Sequence, residues 1–235
     1  MIEKEVLLRE KLRYNLPLFV SKKELKLLKK DVPVQKIIGL QEMQNVTLHL
    51  NYNVLIPRYE TEEVILECYQ YLNKQSKVLD LGCGSGFIGL AIKKNINCDV
   101  TLVDKSRDAI KQTKHNAKLN GLDVKILKSN WFKKVDKKYD LIVSNPPYLN
   151  KNDTFSNSLK HEPKNALFAK NNGLYCYQLI LKQAYDYLND YGVLIFEIDN
   201  NASIWFKQNY PNVIIKKDIN GKNRIAILKK EDLHF

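Results

Sequence analysis

Residues 78–86 read Val78-Leu79-Asp80-Leu81-Gly82-Cys83-Gly84-Ser85-Gly86, and this stretch decides how the chain folds. An apolar run typical of a strand passes into a glycine-rich turn, which leads into a predicted helix over 87–95. Glycine has no Cβ, so the backbone of such a turn can approach a ligand, and the first N–H groups of the next helix are free to donate to it. The G-x-G-x-G spacing is one residue tighter than G-x-G-x-x-G, the pattern that binds the pyrophosphate of a dinucleotide. A pyrophosphate site is therefore the weaker alternative.

Strands and helices alternate along the rest of the chain. Repeated β–α units imply a mainly parallel sheet with helices on both faces. We therefore predict an α/β fold with a doubly wound, mainly parallel sheet. The predicted strands span 77–81, 100–104, 124–127, 140–144 and 193–198, the predicted helices span 60–72, 87–95, 106–120 and 173–188, and a closing hairpin pairs 213–217 with 224–228 around Asn220-Gly221.

The N-terminal part predicts short helices followed by a β-hairpin. Ser21 and Glu24 have the spacing of a capping box, which predicts a helix that continues to Lys30. Polar and apolar residues alternate over 47–50, residues 51–53 can turn, and 54–56 can return as the second strand. We therefore predict three units. They are a short helical segment over 1–30, a linker and β-hairpin over 31–58, and the main domain over 59–235.

Composition excludes several classes of protein. The chain has 235 residues, 44% of them hydrophobic, which is enough for a sizeable core. No window approaches the roughly 18 to 20 apolar residues of a membrane span, and the charged N-terminus does not resemble a signal peptide. We therefore expect a cytoplasmic protein without a membrane partner. The cysteines (Cys68, Cys83, Cys98 and Cys176) and the histidines are dispersed, so we expect reduced thiols and no metal site.

The net charge of +12 raises the possibility of nucleic-acid contact. Arginine, which contacts bases and phosphates in a bidentate way, is scarce in this chain, and lysine supplies nearly all of the positive charge. We interpret the charge as a lysine-solvated surface and expect that nucleic acid is not required. A non-catalytic nucleic-acid-binding module is the alternative, and the intact glycine turn argues against it.

Further candidate residues follow other strands of the predicted sheet. Asp104 ends the strand after the glycine turn, where a doubly wound fold binds the hydroxyls of a ribose, and a solvated surface charge is the alternative for this residue. Asn130-Trp131 follows the next strand, and Trp131 can either flank a purine ring or fill the core. Because ligands bind at the carboxyl ends of strands in open α/β sheets, we expect these residues to form one site with the glycine turn.

Residues 144–149 read Ser144-Asn145-Pro146-Pro147-Tyr148-Leu149. Proline cannot continue a central strand, so the chain must turn and present Asn145 and Tyr148 at the edge of the sheet. The Asn145 side-chain oxygen and a nearby backbone carbonyl can accept both N–H bonds of a planar –NH₂ group, and the Tyr148 ring can lie against its face. The loop therefore predicts a site for the exocyclic amine of a base or for the side-chain amide of a glutamine. A plain Pro-Pro turn is the structural alternative.

Taken together, these motifs resemble the class I S-adenosylmethionine-dependent methyltransferases of the N-P-P-Y type. Three further segments are similar to those of the release-factor glutamine methyltransferases. They are 33–39 (P-x-Q-x-I-x-G), 55–62 (L-I-P-R-P-E-T-E, with Tyr59 where the family often has proline) and 162–167 with 173–174 (E-P-x-x-A-L and G-L). The resemblance covers about residues 31–228.

The resemblance implies a Rossmann-like fold and S-adenosylmethionine as cofactor. It also implies a monomer that methylates the side-chain amide N5 of the glutamine in the Gly-Gly-Gln loop of class 1 peptide chain release factors. An N6-adenine DNA or RNA methyltransferase is the alternative, because such an enzyme uses the same loop on a flipped base. We would expect that enzyme to carry a target-reading domain or an arginine-rich groove, and neither is apparent.

The resemblance also implies roles for individual residues. Asp104 would bind the ribose hydroxyls, and Asn130, where the family usually has an acidic residue, would lie on the adenine side. The implied catalytic residues are Asn145, Pro146, Pro147 and Tyr148. The implied cofactor-binding residues are Asp80, Gly82, Cys83, Gly84, Ser85, Gly86, Asp104, Asn130, Trp131 and Asn145, with no metal ligand among them.

Three other features depart from the family pattern or leave a role open. Arg58 and Glu60 fall in a block near the methionine end of the cofactor, and an ion pair between them is the structural alternative. Glu197-Ile198-Asp199 stands where the family has E-H-G. About 30 residues precede the segment over 33–39, where the family usually has a larger helical lobe, so we expect weak docking of the substrate protein.

Overall fold

One central sheet organises the molecule, and a small hairpin lies beside it. The computed structural model describes residues 4–150 and 155–233. The strands are β1 (Leu40–Met43), β2 (Val46–His49), β3 (Lys77–Leu81), β4 (Asp99–Asp104), β5 (Lys125–Lys128), β6 (Tyr139–Ser144), β7 (Leu188–Glu197), β8 (Ile214–Lys217) and β9 (Asn223–Lys229). The seven-stranded sheet has the order β5-β4-β3-β6-β7-β9-β8. The first five strands in this order, from β5 to β7, are parallel, and β9 is antiparallel to both β7 and β8.

Helices cover both faces of this sheet. They are α1 (Lys4–Arg13), α2 (Lys22–Leu28), α3 (Val34–Ile38), α4 (Glu60–Tyr69), α5 (Phe87–Ile96), α6 (Arg107–Leu119), α7 (Lys164–Leu167), α8 (Tyr175–Tyr187) and α9 (Asn200–Asn209). Alternate residues of each central strand face opposite sides, so Val78 packs in the core layer under α4 and α5, and Leu79 packs in the layer under α8 and α9. Both side chains are fully buried. The predicted doubly wound, mainly parallel sheet is confirmed.

Strand β3 lies at the point where the strand order reverses. The chain leaves β3 toward β4 and β5 on one side, and it returns through β6 and β7 on the other side. The loops that follow β3 and β6 therefore separate and leave a crevice at the carboxyl edge of the sheet. This topology places the glycine turn and the loop over 144–149 next to each other.

The predicted N-terminal hairpin pairs the wrong segments. The hairpin consists of β1 and β2, joined by Gln44 and Asn45 with φ of 47° and 62°. A two-residue turn with positive φ at both positions matches the twist of the flanking strands, which favours this short connection over a turn at 51–53. Residues 54–56 are no strand; Val54 and Ile56 instead bury against Ala109 at the start of α6.

The hairpin is attached to α6 by side-chain amides. Asn120 accepts from the Thr47 backbone N–H at 2.9 Å and donates to the Thr47 carbonyl at 2.7 Å. Asn116 accepts from the His49 backbone N–H at 3.0 Å and donates to the Ser85 carbonyl at 2.8 Å. Asn116 therefore connects the hairpin to the glycine turn.

The N-terminal helices form a small cluster of their own. Leu7, Leu28 and Val34 pack together, and the capping box predicted from Ser21 and Glu24 is present in both halves. The division of the chain into units at residues 30 and 58 stays a prediction. Residues 1–3, 151–154 and 234–235 of these units lie outside the described part of the chain.

Helix α9 was not predicted, although the sequence carries a signal for it. The Asp199 carboxylate accepts from the Ala202 backbone N–H at 2.7 Å and so caps the N-terminus of α9. This cap accounts for the aspartate in Glu197-Ile198-Asp199. The predicted closing hairpin is confirmed as β8 and β9, which extend the sheet at its antiparallel edge.

Candidate active site

An open cleft lies at the carboxyl edge of β3, β4 and β6. Most of the predicted site residues line it. These are Gly82, Cys83, Gly84, Ser85, Asp104, Asn130, Trp131, Asn145 and Pro147. Four others are not among the lining residues, and they are Asp80, Gly86, Pro146 and Tyr148.

The glycine turn presents bare backbone to the cleft. The backbone N–H groups of Gly82 and Cys83 both donate to the Val103 carbonyl, at 2.8 and 3.0 Å, so the turn is tied to β4. Gly82 has φ of 79° and Gly84 has φ of 56°, a region that L-residues rarely adopt. A Cβ on Gly82 would lie 3.7 Å from the Trp131 ring. The turn and the indole therefore form adjacent walls of the cleft.

The Asp104 carboxylate is held in place by two backbone donors. Its Oδ2 accepts from Gly84 at 3.0 Å, and its Oδ1 accepts from Ser106 at 2.7 Å. Burial raises the pKa of Asp104 above its usual value, and these hydrogen bonds oppose the shift. Each carboxylate oxygen has a second lone pair, so a ligand with hydroxyl groups can still donate to Asp104.

Asp80 lies beneath the turn and does not line the cleft. Its Oδ2 accepts from the Gly89 backbone N–H at 2.9 Å and so connects β3 to α5, whereas its Oδ1 has no hydrogen-bond partner among the described residues. Burial raises the pKa of Asp80 to about 7. A role for Asp80 toward the cofactor stays a prediction.

Asn130 and Trp131 begin a 3₁₀ turn, Trp131–Lys134, directly after β5. Trp131 has φ of 49°, and its carbonyl accepts from the Ser129 hydroxyl at 3.0 Å. Asn130 is exposed and Trp131 is half-buried, and both line the cleft. Trp131 also packs against the core layer under α8, so it fills part of the core, and its contact with a purine ring stays a prediction.

The loop over 144–149 is fixed at both of its ends. The Ser144 hydroxyl donates to the Leu81 carbonyl at 2.7 Å, which holds the end of β6 against β3. Leu149 donates to the Leu167 carbonyl at 2.9 Å. Gly173, with φ of 87°, lies so close to the loop that a Cβ would be 2.0 Å from the Tyr148 carbonyl oxygen. Asn145 is thereby held at the cleft.

A chain of hydrogen bonds leads from Asn145 through Thr61, which also lines the cleft, to the buried Glu197. The Asn145 Nδ2 donates to Thr61 Oγ1 at 3.5 Å, and the Thr61 hydroxyl donates to Glu197 Oε2 at 2.6 Å. The Tyr148 hydroxyl donates to the other oxygen, Glu197 Oε1, at 3.2 Å, and the Tyr177 hydroxyl donates to the Glu197 carbonyl at 2.8 Å. Sequence reasoning assigned no role to Glu197, because its partners come from three distant parts of the chain.

The opposite wall is formed by two segments joined through Glu162. This buried carboxylate pairs with Arg58 and accepts from the Ile56 backbone N–H at 2.8 Å. Arg58 therefore does not form the ion pair with Glu60 that the sequence left open. Both segments contribute lining residues that sequence reasoning missed, and these include Leu55, Pro163, Asn165 and Ala166. The motifs that contain these residues could be recognised in the sequence, but the sequence did not show that they lie at the cleft.

Tyr59 shows what a departure from the family pattern does here. Its hydroxyl accepts from the Arg13 guanidinium, whose Cζ atom also lies 5.7 Å from the Tyr59 ring centroid. Tyr59 therefore connects helix α1 to the start of α4. Among the described residues, no helix has the length and apolarity of a membrane span, and no cluster of three acidic, histidine or cysteine side chains could hold a metal ion.

The fold and the sequence are similar to those of known methyltransferases. The family model described as "Methyltransferase small domain" matches residues 61–203. A ribosomal protein L11 methylase from Lactobacillus delbrueckii subsp. bulgaricus superposes with a TM-score of 0.60 over 77% of this chain and 83% of its own, at 23% identity. This likeness supports the class I methyltransferase fold.

Two curated relatives match most of the chain. A release factor glutamine methyltransferase from Fusobacterium nucleatum subsp. nucleatum is 39% identical over 216 residues, which is 86% of this chain and 61% of the relative. One from Streptococcus pneumoniae is 38% identical over 207 residues, covering 83% of this chain and 74% of the relative. The chain thus spans less than two thirds of the first relative's length and about three quarters of the second's. With this similarity and with the glycine turn, Asp104 and Asn145 at one cleft, the chain belongs to the release factor glutamine methyltransferase family.

Proposed function

We propose that this chain transfers a methyl group from S-adenosylmethionine to the side-chain amide N5 of the glutamine in the Gly-Gly-Gln loop of class 1 peptide chain release factors. The observation that carries the proposal is the position of Asn145, which lines the same cleft as the glycine turn and Asp104. An acceptor for a planar amide therefore lies beside a site for the methyl donor. The relatives are named release factor glutamine methyltransferases, which supports a glutamine of a release factor as the acceptor.

The residues of the cleft fit S-adenosylmethionine, the cofactor of this family. Gly82 and Gly84 leave a path along the backbone that side chains would narrow, and Asp104 has lone pairs left for the ribose hydroxyls. We assign the adenine side to Asn130 and Trp131, which line the cleft at the end of β5. The bound cofactor supplies an electrophilic methyl group on a positively charged sulfur.

The chain's contribution to the reaction is mainly to position the acceptor. An amide nitrogen is a poor nucleophile because its lone pair is delocalised into the carbonyl. If the Asn145 Oδ1 and the Pro146 carbonyl accept both of its N–H bonds, the nitrogen is held facing the methyl donor. The same two acceptors stabilise the positive charge that grows on the nitrogen. The proton then leaves to water, so no dedicated general base is needed.

Four further expectations belong to this proposal. The chain acts as a monomer, needs no nucleic acid and recognises a protein substrate. Its work takes place in the cytoplasm, where a reducing environment suits the four cysteines, all of which are free thiols.

The proposal is tested by mass spectrometry after incubation with labelled S-adenosylmethionine, a class 1 release factor and nucleic acid in the same reaction. We expect one added methyl group on the Gly-Gly-Gln peptide and no label in nucleic acid. A release factor with glutamate in place of that glutamine is the matched control and should stay unlabelled. Label in adenine, with none in the release factor, would favour the N6-adenine methyltransferase instead.

A further inference from the structure

The hydrogen-bond chain behind Asn145 has a direction. Thr61 is 4% exposed and Glu197 is 1% exposed, so both groups depend on protein partners. An ionised carboxylate can only accept, so the proton of the Thr61 hydroxyl must point to Glu197 Oε2, 2.6 Å away. The Thr61 oxygen is then left with lone pairs facing Asn145.

This direction determines which end of the Asn145 amide faces Thr61. The two ends of an asparagine amide have nearly the same shape, and the hydrogen bonds around them decide their orientation. Since Thr61 offers Asn145 a lone pair, the –NH₂ end turns toward Thr61, where Nδ2 lies 3.5 Å from Oγ1. The carbonyl end, Oδ1, is thereby directed away from Thr61 as the acceptor available to a substrate.

The hydrogen bond to the other carboxylate oxygen of Glu197 supports the same direction of donation. Tyr148 donates to Oε1, so both carboxylate oxygens receive a hydroxyl proton. Burial raises the pKa of Glu197, and the Thr61 hydroxyl and the positive charge of Arg224 oppose that shift, whereas Glu60 adds to it. Arg224 is held next to this site by Asp218, whose Oδ2 accepts from its Nε at 3.1 Å.

We propose that Thr61 and Glu197 are positioning residues that hold the Asn145 amide with its oxygen toward the acceptor substrate, and that they thereby select a side-chain amide over a carboxylate. The inference rests on the proposed function. The two side chains differ at one position, where glutamine has an N–H donor and glutamate has a negatively charged oxygen. An acceptor oxygen on Asn145 binds the donor and repels the carboxylate, whereas a rotated amide would present –NH₂ and favour the carboxylate.

The test compares Thr61→Val, which removes the hydroxyl at nearly constant shape, with Thr61→Ser, which keeps it. Thr101→Val is the matched control, because Thr101 is also buried but lies in β4 outside the cleft lining. The readout is the preference for amide over carboxylate. We measure it as the inhibition constant of a release factor carrying Gly-Gly-Glu divided by the KM of the Gly-Gly-Gln form. We expect Thr61→Val to lower this ratio by about tenfold, because one hydrogen bond is lost. Thr61→Ser and Thr101→Val should keep the wild-type preference.

Glu197→Gln provides a second test that keeps the size of the side chain. A glutamine can donate to Thr61, so the direction of the chain is no longer imposed and both orientations of the Asn145 amide become possible. We expect the preference for amide over carboxylate to narrow here as well. If folded Thr61→Val and Glu197→Gln proteins both keep the wild-type preference, the inference is wrong and the proposed function stands.

A measurement without substrate separates the two proposals. In wild-type protein with a labelled Asn145 side chain, NMR should show the amide protons close to the Thr61 side chain, and this contact should be lost in Thr61→Val. Absence of the contact in wild type overturns the positioning role. If wild type methylates no release factor but shows the contact, the substrate assignment fails and the orientation of Asn145 stands.

Discussion

At the scale of single residues, Asn145 carries the most specific expectation. Replacing it with alanine removes the oxygen that we propose as the acceptor for the target amide, so turnover should fall by roughly 10² to 10³, by analogy with the loss of one preorganised hydrogen-bond partner. Cofactor affinity should change much less, because we assign the cofactor to the glycine turn and Asp104. Single-turnover rates and calorimetry with S-adenosylmethionine measure the two effects.

Asn145→Asp is the informative control. It keeps an acceptor oxygen but loses the –NH₂ group that donates to Thr61, so we expect activity between that of wild type and Asn145→Ala. If Asn145 only shapes the Pro-Pro turn, both substitutions should lower the melting temperature and leave turnover in the folded protein intact.

Asp104 is expected to control cofactor affinity. Asp104→Ala should weaken binding of S-adenosylmethionine by roughly 1–3 kcal/mol, since a charge-assisted hydrogen bond is lost. The substitution also removes the acceptor for Gly84 and Ser106, so the melting temperature has to be recorded alongside the calorimetry. Unchanged affinity in a folded Asp104→Ala protein would remove Asp104 from the cofactor site.

Asp80 makes stability depend on pH. Its pKa of about 7 in the folded protein lies above the value of about 3.9 expected in the unfolded chain, so the folded state binds the proton more tightly. The free energy of unfolding should therefore rise as the pH falls from about 7 toward 4, by at most about 1.4 kcal/mol per pH unit from this group. Urea unfolding of wild type and Asp80→Asn across this range isolates the effect, and equal slopes for the two proteins would contradict it.

At the scale of elements, the close approach of Gly173 to the loop over 144–149 can be tested directly. A Cβ at Gly173 would lie 2.0 Å from the Tyr148 carbonyl oxygen, so Gly173→Ala must displace the loop. We expect it to cost roughly 1–3 kcal/mol of stability and to lower turnover by moving Asn145. Gly221→Ala is the matched control, because Gly221 has φ of 77° but a Cβ added there would have no described atom within 4 Å.

Both glycine variants carry the same kind of backbone strain, so only the contact with the loop distinguishes them. Denaturant unfolding and single-turnover rates should show a larger stability loss and a lower rate in Gly173→Ala alone. Equal effects in the two variants would mean that the loop does not depend on Gly173.

Elements whose signals are local were predictable, and those set by distant contacts were not. The capping box of Ser21 and Glu24 involves residues three positions apart, and it is present as predicted. The hairpin register depended on a choice between two turns, and the buried contact of Val54 with Ala109 removed residues 54–56 from strand pairing. That contact joins segments far apart in sequence, so periodicity could not reveal it.

At the scale of the whole molecule, the cofactor should stabilise the fold, because the residues that we assign to its site follow four different strands, β3, β4, β5 and β6. At a concentration about 100 times Kd, S-adenosylmethionine should add about 2.7 kcal/mol of stability. For a chain of this size, that corresponds to a rise in Tm of roughly 5–10 °C. NAD and a metal chelator should leave Tm unchanged. Stabilisation by NAD in place of S-adenosylmethionine would contradict the cofactor assignment.

The sequence by itself determined the sheet, its winding and most of the cleft. Alternating apolar runs specify which face of a strand is buried, and parallel strands bring their carboxyl ends to one edge, so Gly82, Asp104 and Asn145 had to lie near one another. The resemblance in the motifs added the family. These inferences needed only local patterns and the rules of α/β topology.

Only the tertiary structure decided how the site residues are held. Glu197 receives its hydrogen bonds from Thr61 on α4 and from Tyr148 after β6, and Glu162 joins Arg58 to the segment before α7. Asp80, which the motif suggested as a site residue, lies beneath the glycine turn, where its carboxylate accepts a hydrogen bond from the backbone of α5. Buried polar groups must find partners wherever the fold brings them, and those partners are set by packing between segments that a linear pattern does not relate.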